Sequence, residues 1–287
     1  MQNSIRTVLV TGCSTGIGRA TVELLAARGF QVVAAVRDAR HFAELQSLHK
    51  NIKPLLLDVT SEADVARAVN ELRAVAPQGL YGLVNNAGVG LPSAVELTTP
   101  DELRQLFEVN TIAPLRLIQA FLPMLRQTRG RIVNVTSMNG ALALPMVGAY
   151  SASKFALEAL SDTLRVELRP WRISVSTVRP GQVRTAIFDK AGAALVTRVP
   201  AIPPELRAVY EPMYGQGAYF NERGVNSPTR PEAVSKAILR ALTARWPRAH
   251  YHVGIDAHVM NFAKRYFPTR LLDRVLARVM GTLRRLD

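Results

Sequence analysis

A single cysteine, Cys13, stands in the 287 residues. One thiol cannot close an internal disulfide, so no disulfide framework holds the chain together, and the count suits a reducing compartment. Nowhere does an apolar run reach the roughly 18–20 residues that a helix needs to cross a bilayer. The opening MQNSIRTVLVTG lacks the charged, apolar and cleavable parts of a signal peptide and runs straight into a strand-like pattern, so a cytoplasmic location is expected. Repeats, low-complexity tracts and linkers are also missing, which argues for a single domain over 1–287. Acidic residues are scarce: 22 Asp and Glu face 36 Lys and Arg, for a net charge of +14. Such an excess attracts anionic ligands, membranes and nucleic acid without specificity. With no zinc-finger spacing, RNP aromatic motif or dense basic stripe, specific nucleic-acid binding is not expected.

What the chain does have is a regular alternation. Apolar, β-rich runs at 6–10, 31–36, 53–57, 81–84, 131–135, 173–178 and 250–253 read as strands, several of them continuously apolar. Amphipathic patterns at 17–28, 61–76, 103–126, 151–169 and 231–244 read as helices, with Pro114 and Pro123 expected to kink or shorten the third. This βαβ rhythm predicts an α/β, Rossmann-type doubly wound fold: a seven-stranded parallel sheet with helices on both faces.

The first strand runs into TGCSTGIGRA at 11–20. Gly12, Gly16 and Gly18 permit a tight turn and close approach of backbone to a pyrophosphate, while the N-terminus of a helix starting near Ile17 offers N–H donors. A plain strand-to-helix turn also fits, but the place of the motif in the first βα turn favours a dinucleotide. At the end of the second strand an acid suits the ribose of NAD and a base suits the 2′-phosphate of NADP. The sequence supplies both, Arg37 and Asp38. If the strand ends at Val36, Arg37 is the first residue able to curl over the ribose, and Asp38 starts the next loop or caps its helix. NADP(H) is favoured on this reading, with NAD(H) as the alternative.

Further motifs close later strands. LVNNAG ends the fourth, Asn110 follows in FEVNTIAPL, IVNVTS ends the fifth with Ser137, and YSASK sets Tyr150 and Lys154 on one helix face. Reducing a carbonyl by hydride leaves an alkoxide that needs a proton. A tyrosine with an ordinary pKa near 10 is a poor base at neutral pH and has to be tuned. The Lys154 cation, helped by an oxidised nicotinamide, lowers that pKa, and Ser137 can hold the substrate oxygen.

In order and spacing, TGCSTGIG, Asp58-Val59 after the third strand, NNAG, Asn110, Ser137, YSASK and PGQVRT at 180–185 resemble the short-chain dehydrogenase/reductase family over almost the whole chain. The resemblance implies Tyr150 as general acid/base, with Lys154 lowering its pKa and holding the nicotinamide ribose. It implies Ser137 orienting substrate and Asn110 holding a water in the proton relay. It also implies a cofactor lined by Gly12, Ser14, Thr15, Gly16, Ile17, Gly18, Asp58, Val59, Asn86, Ala87, Gly88, Pro180, Gly181, Val183 and Thr185, beside Arg37 and the catalytic pair. A homodimer or homotetramer, joined through the helices at 103–126 and 151–169, is implied too.

From 182 to 229 the rhythm breaks into a glycine- and proline-containing segment read as an irregular lid at the carboxyl edge of the sheet. Its Ile187, Phe188, Leu195, Val196, Val209, Tyr210, Met213, Tyr214, Tyr219 and Phe220 suit a lipophilic substrate, or pack on the core. A C-terminal extension covers about 255–287. After Pro268, Leu271, Leu272, Val275, Leu276, Val279, Met280 and Leu283 recur at helical spacing among Arg270, Arg274, Arg278, Arg284 and Arg285. That amphipathic basic helix fits the core, a partner, or weak peripheral contact with an anionic membrane; packing is the simpler reading. VRD, YHVGIDA, YFP and LLD are similar to the 17β-hydroxysteroid and retinol dehydrogenase group, which implies an alcohol and its ketone or aldehyde on a steroid-, retinoid- or fatty-type scaffold. No metal is expected, because His250, His252 and His258 have no acidic or cysteine partner at ligand spacing. Two rivals remain: a cofactor-binding sensor without turnover, and a sugar-nucleotide epimerase or dehydratase.

Overall fold

The computed structural model describes residues 6–280. Seven strands, β1 (Thr7–Thr11), β2 (Gln31–Val36), β3 (Ile52–Leu56), β4 (Gly82–Asn85), β5 (Arg131–Val135), β6 (Ser174–Pro180) and β7 (His250–Val253), form one sheet in the order β3-β2-β1-β4-β5-β6-β7. Every pairing is parallel. The helices of the first half are α1 (Gly16–Ala27), α2 (Phe42–Leu48), α3 (Glu62–Val75), α4 (Pro100–Phe107), α5 (Ala113–Thr128) and α6 (Gly148–Glu167). Those of the second are α7 (Ala186–Arg198), α8 (Arg207–Val225), α9 (Pro231–Thr243), α10 (Ile255–Tyr266) and α11 (Thr269–Val279).

The continuously apolar strands are explained by two cores. Val8, Val10, Val32, Ala34, Val84 and Val133 face one side, against Val22 and Leu25 of α1 and Val234 and Ile238 of α9. Leu9, Val33, Ala35, Leu83 and Ile132 face the other, against Val65 and Leu72 of α3 and Leu117 and Phe121 of α5. Since successive strand side chains point to opposite faces, a strand covered on both sides has no solvent-facing position, and a polar residue there needs a buried partner, as Asn134 finds in Asn85 and Ser161. The winding reverses between β1 and β4, so the carboxyl ends of these two strands flank the crevice where open α/β sheets bind ligands.

Two expectations need correction. The segment at 182–229 is mostly helical, not irregular: α7 and α8 cross as a pair. Two of its glycines mark close approach rather than turns, since a Cβ on Gly224 would stand 2.3 Å from Phe188 Cε1 and one on Gly192 would stand 2.9 Å from Asn221 Nδ2. The pattern at 103–126 is also more than a kinked helix. It comprises α4, a π turn at Glu108–Ile112, and α5, where Pro114 sits in the first turn and Pro123 lies inside.

The extension packs through one stripe of α11. Leu272 and Met280 are buried, Met280 among Leu195, Ile202 and Tyr214 of the lid. The neighbouring stripe, Leu271, Val275 and Val279, is exposed, as are Ile255, Val259, Phe262 and Tyr266 of α10. Leu283, Arg284 and Arg285 of the expected basic helix lie outside the described residues. Among the described residues no helix is long and apolar enough to cross a membrane.

Candidate active site

The chain leaves β1 and turns through Gly12 and Gly16, whose φ angles of 68° and 58° disfavour any side chain. Space is short as well: a Cβ on Gly18 would stand 2.1 Å from the Gly12 carbonyl oxygen and 2.6 Å from Asn86 Nδ2. The loop is clamped from β4. Asn86 Nδ2 donates to the carbonyls of Thr11 (2.9 Å) and Gly12 (3.1 Å), and Thr11 Oγ1 accepts from the N–H groups of Asn86 and Ala87, both at 3.0 Å. Thr15 caps α1 without a side-chain hydrogen bond, which leaves first-turn N–H groups for an anion. Thr185, where the lid begins, approaches Gly16 from the other side. Between Gly16, Arg19, Thr185 and Ala186 lies an open cleft of about 440 Å³. A bare-backbone cradle over a helix N-terminus fits a dinucleotide pyrophosphate.

At the ribose end, β2 stops at Val36 and Arg37 is exposed. Asp38 caps the following 3-10 turn, accepting from the Arg40 backbone N–H (2.9 Å) and from Arg40 Nε (2.6 Å). The Arg40 side chain is the main cause that holds the Asp38 carboxyl at about 2. After β3, Asp58 Oδ1 accepts from the Thr60 N–H and Oγ1 at 2.9 and 2.7 Å, with Val59 buried beside it.

The catalytic candidates meet where β5 ends. Ser137 caps a 3-10 turn, its Oγ accepting from the Asn139 N–H at 3.1 Å, and its hydroxyl acts on the Tyr150 phenol, favouring the phenolate. One turn along α6, Lys154 is buried; its Nζ donates to the Val135 carbonyl (3.2 Å) and lies 5.9 Å from the Tyr150 ring centroid. Burial brings the Lys154 ammonium down to about 8, opposed by the Glu158 carboxylate. Burial also raises Tyr150 above the ordinary phenol value, and the Ser137 hydrogen bond works against it. In the protein alone, burial thus outweighs the Ser137 contribution at the phenol. A further positive charge at the site, such as an oxidised nicotinamide, has to complete the tuning.

Asn110 is wholly buried in the π turn, a helix irregularity that concentrates at functional sites. Its Oδ1 accepts from the Val89 N–H (2.9 Å), and its Nδ2 donates to the Val89 carbonyl (2.9 Å) and to Ser153 Oγ (3.0 Å). The amide thus pins the loop after NNAG, with Gly88 so close that a Cβ there would lie 3.2 Å from Asn110 Oδ1. Just before α6, Met146 has φ 66°, a strained conformation for a bulky side chain, and is buried under the lid.

Other residues of the site carried no motif. Asp256 of α10 accepts from the Gln182 N–H at 2.6 Å and packs on Gly181, where a Cβ would stand 2.0 Å from Asp256 Oδ1. It ties the start of the extension to the turn holding Pro180, Gly181 and Val183. Glu158 forms a buried pair with Arg179; its one sequence signal is the helical spacing from Lys154. The expectation that His250 lacks acidic neighbours is corrected, since its Nδ1 lies 3.7 Å from Glu158 and its Nε2 3.9 Å from Asp162. Both Glu158 oxygens are already bound by Arg179, so a cation at this cluster would face a guanidinium.

The family model for short chain dehydrogenases matches residues 6–195. The chain belongs to the short-chain dehydrogenase family. It is similar to 3-amino-tetrahydro-pyrrolizinone reductase of Xenorhabdus hominickii, 40% identical over 88% of each chain. It is also similar to retinol dehydrogenase 5 of Mus musculus, 35% identical over 95% of this chain and 88% of the other. A solved short-chain dehydrogenase from Streptomyces avermitilis superposes with a TM-score of 0.76 at 30% identity, covering 98% of this chain and 97% of that one. This short-chain dehydrogenase is thus an NAD(P)-dependent oxidoreductase close to the 17β-hydroxysteroid and retinol dehydrogenase group.

Proposed function

We propose that this short-chain dehydrogenase interconverts an alcohol and its ketone or aldehyde on a lipophilic scaffold, using NADP(H). The observation that carries the reading is the Ser137–Tyr150–Lys154 cluster at the end of β5, beside a lid whose Leu195 and Tyr214 pack on Met146 just ahead of Tyr150. Gly12, Gly16, Gly18 and the N-terminus of α1 would hold the pyrophosphate, with Asn86 keeping their loop in place. When bound, the nicotinamide supplies or accepts the hydride. Ser137 Oγ and Tyr150 Oη hold the substrate oxygen; Tyr150 Oη delivers the proton in reduction and takes it back in oxidation. Lys154 stabilises the phenolate by its charge, and Asn110 fixes the loop after β4 against which the cofactor lies. NADP(H) is supported by the exposed Arg37 and by an Asp38 carboxylate already engaged with Arg40.

Exposed Leu103, Ile112, Phe155 and Val166 on α4, the π turn and α6 support a homodimer or homotetramer built on those helices. The exposed stripe Leu271, Val275 and Val279, flanked by Arg274 and Arg278, supports weak contact with an anionic membrane.

The test is a screen of NADPH and NADH oxidation with retinal, a steroid ketone, an acyl ketone, a small aldehyde and a bicyclic pyrrolizinone. The reading expects NADPH-dependent turnover of an apolar carbonyl that disappears in Tyr150→Phe. Turnover of the small polar compounds alone would overturn the substrate class, and a preference for NADH in the parent would overturn the role of Arg37. Turnover unaffected by Tyr150→Phe would sink the mechanism.

A further inference from the structure

Tyr150, Lys154 and Glu158 are spaced four residues apart on α6, so they form one row on the buried face of that helix. Glu158 is only 5% exposed. A carboxylate so placed has to be satisfied on every side, and its partners all belong to the catalytic end of the sheet. Arg179 of β6 donates to both oxygens, Nε and Nη2 each at 2.8 Å. Thr136 Oγ1 donates at 2.5 Å. Thr136 stands between Val135, whose carbonyl accepts from Lys154 Nζ, and Ser137, whose hydroxyl favours the Tyr150 phenolate. One carboxylate therefore grips the stretch that carries both neighbours of the catalytic pair. The turn after Ser137 lies directly on its stem: a Cβ on Gly140 would stand 3.1 Å from Glu158 Cγ and 3.2 Å from the Lys154 carbonyl oxygen.

We propose that Glu158 is a positioning residue for the reaction: its carboxylate is the counter-charge of buried Lys154 and, through Thr136, holds Ser137 and the Val135 carbonyl against the Tyr150–Lys154 pair. The inference rests on the oxidoreductase reading above. Of the Glu158–Arg179 pair it is the carboxylate that acts on Lys154, opposing the effect of burial. The other charged groups around it are His250 and His252 of β7 and, further along α6, Asp162 and Arg165. Burial is the main cause that keeps both histidines below their ordinary value, so near neutral pH they are uncharged and leave Glu158 to Arg179, Thr136 and Lys154.

Without the carboxylate, Lys154 releases its proton more readily, and an uncharged lysine no longer favours the Tyr150 phenolate. The direct readout is the ultraviolet difference absorbance of tyrosinate against pH in protein saturated with NADP⁺, with Tyr150→Phe as the blank. Glu158→Gln is expected to move the Tyr150 midpoint upward by about one pH unit, the scale of a lost neighbouring charge. The double variant Glu158→Gln/Arg179→Gln, which removes the guanidinium together with its carboxylate partner, is expected to show the same shift, and Glu158→Asp to recover most of the parent midpoint. A parent-like midpoint in the folded double variant would overturn the proposal while leaving the oxidoreductase reading intact. Loss of folding in both Glu158→Gln forms, seen by circular dichroism, would assign Glu158 to stability and equally overturn it. Absence of any Tyr150-dependent titration in the parent would instead mark failure of the site reading itself.

Discussion

At the carboxyl edge of the sheet, side chains are held by hydrogen bonds and by backbone within touching distance; the layer formed by α7, α8 and α11 adds a small apolar core to polar ties such as Arg198 to Ser93 and Glu102. Thr11, Asn86, Asn110 and Thr136 each tie one loop or strand end to another. In the second layer Leu195, Ile202, Tyr214 and Met280 form a small core of their own, while Val196 and Tyr219 are exposed at 74% and 50%. Two glycines make the contrast sharp. A Cβ on Gly18 would meet the Gly12 carbonyl oxygen at 2.1 Å, whereas one on Gly215 of α8 would meet nothing within 4 Å. Directional bonds at short range demand particular residue types; apolar packing accepts many, so such a layer can vary without disturbing the hydrogen-bonded sheet edge.

The comparison breaks most visibly at the proton donor. Tyr150→Phe is expected to lower kcat by about 10²–10⁴, with NADPH affinity by fluorescence titration nearly unchanged; a comparable loss of affinity would show the tyrosine acting through binding. Next comes Lys154→Met. The lysine value is depressed by burial from 10.5 to about 8, so below about 8 its charge opposes folding, and that penalty fades as pH rises toward 10.5. The variant should therefore be inactive yet more stable at pH 7, by up to about 3 kcal/mol. The gap in urea unfolding should close as the pH approaches 10, and a gap that ignores pH would refute the electrostatic cause.

Gly18→Ala should destabilise by about 1–3 kcal/mol through overpacking and weaken NADPH binding, measured by denaturant midpoint and titration on the same preparation. In the second layer, Gly215→Ala should stabilise by about 0.5–1 kcal/mol, because alanine restricts the unfolded chain and favours the helix. Turnover should be unaltered. Effects of opposite sign at these two glycines are the comparison in its simplest form, and similar behaviour would erase it.

Much of the first layer was legible in the linear pattern. The bounds of β2, β5 and β7 coincide with those expected; for β2 and β5 the reason is that valine-rich runs covered on both faces have a local signature. The role of Asp38 as a cap followed from its place one residue past the end of an apolar strand. The lid was misread because glycine and proline are strong local signals of turns, yet here Gly192 and Gly224 serve a helix crossing. No local signal reports that Phe188 will lie on Gly224. α2 went unmarked for a related reason: it is short, with Leu45 as its one buried residue.

Alone, the sequence determined the alternation of strands and helices, the glycine cradle, and the Tyr150–Lys154 pair, since each depends on residues within a turn or two of one another. Only the tertiary structure decided what those groups touch. Asn86 reaches Thr11 across 75 positions, Gln182 meets Asp256 across 74, and Thr136, just past β5, and Arg179 of β6 close on Glu158. Contacts of that kind arise from strand order and helix packing, which place chain-distant polar groups in one dry space where each must find a partner.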